Sequence, residues 1–164
     1  MLRPLPTILT SLAFAGVIAC ALACSHRETR QETAAEGQTA FPAQYRAWKK
    51  VGGPIVREAE KEVRDLYANE VAVHRSGSSF PVGSILVKEE RVLNADPSGS
   101  LKPGDLSRIS VMFKVGGGST SGWSFKAFDP ATHKELPRDR VDPDGCYFCH
   151  ADGKDNDYVF TTKM

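Results

Sequence analysis

"RISVMFKV", residues 108–115, is the stretch on which the fold turns. Ile109, Val111, Phe113 and Val115 alternate with Arg108, Ser110, Met112 and Lys114. A period of two with one apolar set marks a strand buried on one face. "GGGSTSG" (116–122) then reads as a flexible loop, and "WSFKAFD" (123–129) as a partner strand that returns antiparallel.

Working outward, "GSILVKEE" (83–90) is a further strand, with Ile85, Leu86 and Val87 after the turn-like "SSFPVG". "PIVREAEKEVRDLYAN" (54–69) is ambiguous. Ile55, Ala59, Val63, Leu66 and Tyr67 fit a helical stripe, whereas "VRDLYAN" alone fits a strand. "FPAQYRAWKKVGG" (41–53) predicts a short amphipathic helix, with Pro42 at its start, Tyr45 and Trp48 on one side and Gly52–Gly53 as a stop. "PATHKELPRDRVDPDG" (130–145) is a Pro- and Asp-rich connection. The expected class is α+β: a small, mostly antiparallel sheet with one or two N-terminal helices and a C-terminal turn or helix.

The N-terminus has a different character. "MLRPLPTILTSLAFAGVIACALAC" holds one charge, Arg3, ahead of the apolar run Ile8–Ala23. It predicts an export signal over 1–24 rather than a spanning helix. "ALACS" resembles a bacterial lipoprotein cleavage box, with Cys24 as the lipidated residue; "VIAC", ending at Cys20, is the other candidate box. Residues 25–40 are polar and read as a tether, leaving 41–164 as the folded domain. The expected location is the periplasmic side of a bacterial membrane, held by the lipid, or else soluble in the periplasm. Loss of Arg3 with the signal takes the net charge from +1 to about zero. No basic block is present, so nucleic acid is not an expected partner.

"CYFCH" (146–150) carries the chemistry. A structural zinc site wants four ligands, and His26, His74 and His133 are scattered. A thioredoxin-like dithiol wants an early helix in a βαβ unit. A plain disulfide suits an oxidising compartment but leaves His150 without a role. One covalent c-type haem uses all three residues: Cys146 and Cys149 as thioether donors and His150 as the axial ligand to iron. Such attachment outside the cytoplasm agrees with the export signal.

The order "YRAWKKVGG", "VRDLYAN", "FPVGSILVKEE", "GWSFKAFD", "CYFCH", "DYVFT" is similar to the cytochrome P-460 family, with its cytochrome c-prime-beta relatives, over about residues 42–162. The resemblance implies a mostly antiparallel β haem domain, often a homodimer, and favours strand for "VRDLYAN". It implies hydroxylamine oxidation, with electrons passed to a soluble cytochrome, or non-catalytic binding of nitric oxide or carbon monoxide.

Residue roles follow from the same resemblance. Lys88, in "LVKEE", matches the lysine that becomes cross-linked to haem in hydroxylamine-oxidising members; its bland alternative is a solvated strand-end charge. Lys88 shares a strand face with Leu86 by alternation. Arg64 matches an arginine near the haem pocket, or is an ordinary surface charge. Catalytic members use a distal carboxylate as proton acceptor; Asp142 and Asp144 lie in the right part of the chain, without a close match. Phe80 is a candidate lining residue of an apolar distal pocket. Met112 is the candidate sixth ligand of a His/Met electron carrier, and Met164 is terminal. Tyr158 and Phe160 are expected to fold back around the proximal side, with Asp157 as a candidate acceptor for the His150 ring N–H.

Overall fold

The structure, a computed structural model, describes residues 39–117, 121–140 and 142–160. The export signal, Cys20, Cys24 and Met164 therefore lie outside the described residues, as does the tether up to residue 38. Thr39, assigned to the tether from sequence, is buried.

Five strands form one antiparallel sheet in chain order: β1 (Lys49–Arg57), β2 (Glu62–Ala68), β3 (Ile85–Ala95), β4 (Leu101–Lys114) and β5 (Trp123–Phe128). A 3-10 turn (Tyr45–Ala47) precedes β1, and α1 (Glu70–Val73) follows β2. After β5 come α2 (Pro143–His150) and a second 3-10 segment, Ala151–Asn156. Between β3 and β4 the chain reverses at Asp96–Ser100, where Asp96 Oδ1 accepts from the backbone N–H groups of Ser98 and Ser100. Gly99 there has φ 83°, a conformation that costs a glycine little.

The helix expected over 41–53 is not formed beyond one turn. Trp48 is already extended, and Lys49 and Lys50 pair with Ala68 and Tyr67 of β2. Gln44 gives that turn no side-chain cap, so so short a helix has little to hold it. Cross-strand pairing then wins. Gly52 and Gly53 are not a stop but the site of register shifts within β1. Gly53 has φ 99°, and a Cβ there would lie 2.5 Å from Asp65 Oδ1 and 2.6 Å from the Arg64 carbonyl oxygen. The ambiguous 54–69 stretch resolves into strands: it bends around Lys61 (φ 54°), with β1 on one side and β2 on the other.

Alternation in β3 and β4 divides the core between the two faces of the sheet. Val87, Ile109, Val111, Phe113 and Phe128 line the first, beneath Tyr45. Leu86, Met112 and Trp123 line the second, with Ala68, Ala72, Phe80 and Val159. Each fully buried side chain of this size contributes about 1.5–3 kcal/mol. The chain that follows α2 closes the second face, which is where the chemistry-bearing residues gather.

Candidate functional site

The α2 helix starts from its own sequence. Asp142 caps it, its side chain accepting from the Asp144 N–H at 2.9 Å, and Pro143 occupies the first position. Asp144 sits in the first turn, where the helix dipole favours an anion. Both aspartates are exposed and committed to this helix end. They are not a buried carboxylate pair beside the site.

Within α2, Cys146, Cys149 and His150 fall at i, i+3 and i+4, so all three project from one side. Both cysteines are free thiols, Cys146 partly buried and Cys149 exposed. Burial pushes the Cys146 thiol up, against the opposing pull of Lys88 and Arg108. Burial also lowers the His150 pKa, which keeps its imidazole neutral near pH 7.

His150 Nδ1 lies 2.6 Å from the Tyr158 carbonyl oxygen. An acceptor there assigns the proton to Nδ1 and leaves the Nε2 lone pair free to bind a metal. The carbonyl replaces the expected partner: Asp157 does not take the ring N–H, because its carboxylate is held elsewhere by Lys114 and the Phe80 N–H. Aromatic rings flank the imidazole, Phe125 at 5.3 Å and Phe160 at 5.0 Å between centroids. Tyr147 stacks on Tyr158 at 5.5 Å. The expected folding back of Tyr158 and Phe160 around His150 is therefore present.

Beside the apolar part of this sheet face runs a polar row. Antiparallel register places Arg64 opposite Glu90, Glu90 opposite Arg108, and Lys88 opposite Ser110. Glu90 is 2% exposed. It is held by Lys88 Nζ at 2.9 Å, Arg108 Nε at 2.9 Å and Ser110 Oγ at 2.7 Å. Burial alone would push its carboxyl up, but Lys88, Arg108 and Ser110 together hold it below the usual carboxylate range. Lys88 shares the Leu86 face, as alternation predicts, and its charge acts on both Cys146 and His150. Arg64 lies on the same face, paired with Glu62.

Two further candidates fall in the core. Phe80 is buried against Trp123 at 5.4 Å, and Met112 packs with Leu86, opposite Phe125. Glu90 is a site residue that the motifs of the sequence do not single out. Its signal was present in "VKEER": two adjacent acidic residues inside a strand cannot both face solvent when the strand is buried on both faces.

The Cytochrome P460 family matches this chain over residues 42–161. The chain belongs to the cytochrome P460 family. None of the curated proteins matches it. As a P460 cytochrome it is a haem-binding, iron-containing protein with the antiparallel sheet just described. The residues of α2 fit that cofactor. Two unbonded thiols stand one helical turn apart beside a neutral imidazole whose Nε2 has no hydrogen-bond partner among the described residues. Phe148 and Phe160, 72% and 57% exposed, offer apolar surface of the kind a macrocycle covers.

Proposed function

We propose that this P460 cytochrome carries one haem joined covalently through Cys146 and Cys149, with His150 Nε2 as the axial ligand, and that it oxidises hydroxylamine. The observation that carries the catalytic part is the buried, ionised Glu90 beside Lys88, on the sheet face whose charges reach Cys146 and His150. Oxidising hydroxylamine by two electrons releases two protons and yields nitroxyl. Haem iron, when bound, supplies an open coordination position and a one-electron couple. The electrons leave one at a time to an external soluble cytochrome. Glu90 accepts protons as they are released, and Arg108 and Ser110 fix its orientation. A further two-electron step, in which nitroxyl and water give nitrite, three protons and two electrons to the same acceptor, would yield an anion suited to the positive charge of Arg64 and Lys88 on this face. In the alternative suggested by the family resemblance, Lys88 is joined to the haem edge, and that linkage would take the place of its charge and its ion pair with Glu90.

The same reading takes the chain out of the cytoplasm by its N-terminal signal, with Cys24 lipidated and the haem domain beyond a short tether. Cytochrome maturation in that compartment agrees with thioether formation at Cys146 and Cys149.

Protein matured in a host with working cytochrome assembly tests the proposal. Denatured wild-type chain should keep its haem, while Cys146→Ala/Cys149→Ala should lose it. Hydroxylamine should reduce the wild-type protein in the presence of a soluble acceptor. Coloured protein that binds nitric oxide but never turns over hydroxylamine would replace catalysis with gas binding. Colourless protein would remove the haem assignment.

A further inference from the structure

Asp157 and Tyr158 are consecutive non-glycine residues in the left-handed region, with φ 54° and 66°. L-residues seldom adopt that conformation, and two in a row persist only where the surroundings over-determine them. Here four separate parts of the chain supply the constraint. From β4, Lys114 Nζ reaches the two Asp157 carboxylate oxygens at 2.8 and 2.9 Å. From β5, Trp123 Nε1 donates to the Asp157 carbonyl at 2.9 Å. From the loop before β3, the Phe80 N–H donates to Asp157 Oδ2 at 2.7 Å. From beyond α1, Arg75 Nη2 donates to Asn156 Oδ1 at 2.7 Å.

The Lys114–Asp157 pair is largely buried, with side-chain exposures of 10% and 9%. Lys114 Nζ also donates to the Ser121 carbonyl at 2.7 Å and lies 4.9 Å over the Trp123 ring. A buried pair saturated in this way does not wander, because separating the charges would strand each without solvent. What it immobilises directly is the Asp157–Tyr158 peptide unit. The next unit, Tyr158–Val159, is held between that clamp and the Val159 N–H, which donates to the Asn156 carbonyl at 3.2 Å. Its Tyr158 carbonyl is the group 2.6 Å from His150 Nδ1.

We propose that Lys114, Asp157 and Trp123 are positioning residues that set the donor strength and ring orientation of His150 toward the haem iron. They act through the backbone, by aiming the Tyr158 carbonyl at Nδ1. A well-directed acceptor at Nδ1 gives the ring more imidazolate character and makes Nε2 a stronger donor, and a stronger axial donor lowers the iron reduction potential. The inference rests on His150 being the axial ligand, as proposed above.

The test uses whole matured holoprotein and two readouts other than turnover: the iron–histidine stretching frequency of the ferrous form and the reduction potential. Asp157→Asn and Trp123→Phe should each shift the stretch downward and the potential upward, with covalent haem content unchanged. Trp123→Phe deletes one N–H donor while keeping an aromatic ring, so it serves if Asp157→Asn does not fold. Lys114→Arg, which keeps the charge, should stay closer to wild type than Lys114→Met. Ile109→Val, in the core of the opposite face, should lower stability and move neither readout. Unshifted stretch and potential in both Asp157→Asn and Trp123→Phe overturn the inference while leaving the haem assignment intact, as does an equal shift in Ile109→Val. Colourless wild-type protein overturns the haem assignment, and the inference with it.

Discussion

Glu89 and Glu90 are neighbours in β3, both buried, and their carboxylates leave the sheet on opposite faces. Glu89 accepts from the Tyr45 hydroxyl at 2.6 Å and from Arg46 Nε at 2.7 Å, tying the segment before β1 to the sheet. Glu90 meets Lys88, Arg108 and Ser110 on the face that α2 closes. Glu89→Leu should therefore cost about 1–3 kcal/mol, because the buried Tyr45 hydroxyl loses its acceptor. Urea unfolding measures the loss, and the haem absorption spectrum should not change. A shifted spectrum would mean that the two faces are not independent.

Glu90→Gln should act on both stability and chemistry. It keeps the shape, but an amide NH2 replaces one of two oxygens that both accept, from Lys88 and Ser110 on one and Arg108 on the other, so the variant should be less stable. Loss of the proton acceptor is expected to lower hydroxylamine turnover of the folded variant about 10²–10⁴-fold. Steady-state kinetics with a soluble acceptor checks this. Wild-type turnover in that variant would take Glu90 out of the mechanism.

Acid should destabilise the domain once the pH falls into the ordinary carboxylate range. Burial pushes both Glu89 and Glu90 up, yet their hydrogen-bonded and charged partners hold both below the ordinary value of 4.5. The unfolded chain then binds protons more readily than the folded one. Their stabilisation is complete above the unfolded value and is lost as pH falls through the folded values. Urea midpoints should be level from pH 7 to about pH 5 and decline below that. A midpoint that rises on acidification would contradict the depressed values.

Gly53→Ala should be among the most damaging small substitutions in the sheet. The new Cβ would meet Asp65 Oδ1 at 2.5 Å and backbone at 2.6 Å, with φ at 99°. Strain of that kind costs on the order of 1–3 kcal/mol before any clash is counted. Thermal unfolding of the variant against Gly99→Ala, where nothing lies within 4 Å, separates the clash from the conformational strain.

Lys88→Ala should change the ferrous absorption spectrum if Lys88 is joined to haem, and should otherwise leave Glu90 with Arg108 as its one remaining cation among the described residues. An unchanged spectrum, together with an intact mass showing no extra linkage, would leave Lys88 as a charge partner of Glu90 alone.

Local pattern was enough for much of the fold. Period-two alternation in "RISVMFKV" and the run in "GSILVKEE" marked β4 and β3, and their inward sets proved to be the two core faces. It was not enough for 41–53, where three good helical cues lost to pairing with β2. A helix of that length is marginal alone, whereas a paired strand gains every cross-strand bond at once.

The site divides along the same line. Cys146, Cys149 and His150 were legible because their chemistry is set by spacing along one helical turn, which is a local property of the chain. Glu90, Lys114 and the Tyr158 carbonyl were not. Their roles depend on strand register and on a strained peptide held from four places, and register is fixed only when distant segments pack. The sequence alone determined that two thiols and an imidazole would stand together. Only the tertiary structure decided which carboxylate faces them and which carbonyl holds the imidazole, because burial and hydrogen-bond direction belong to the assembled sheet.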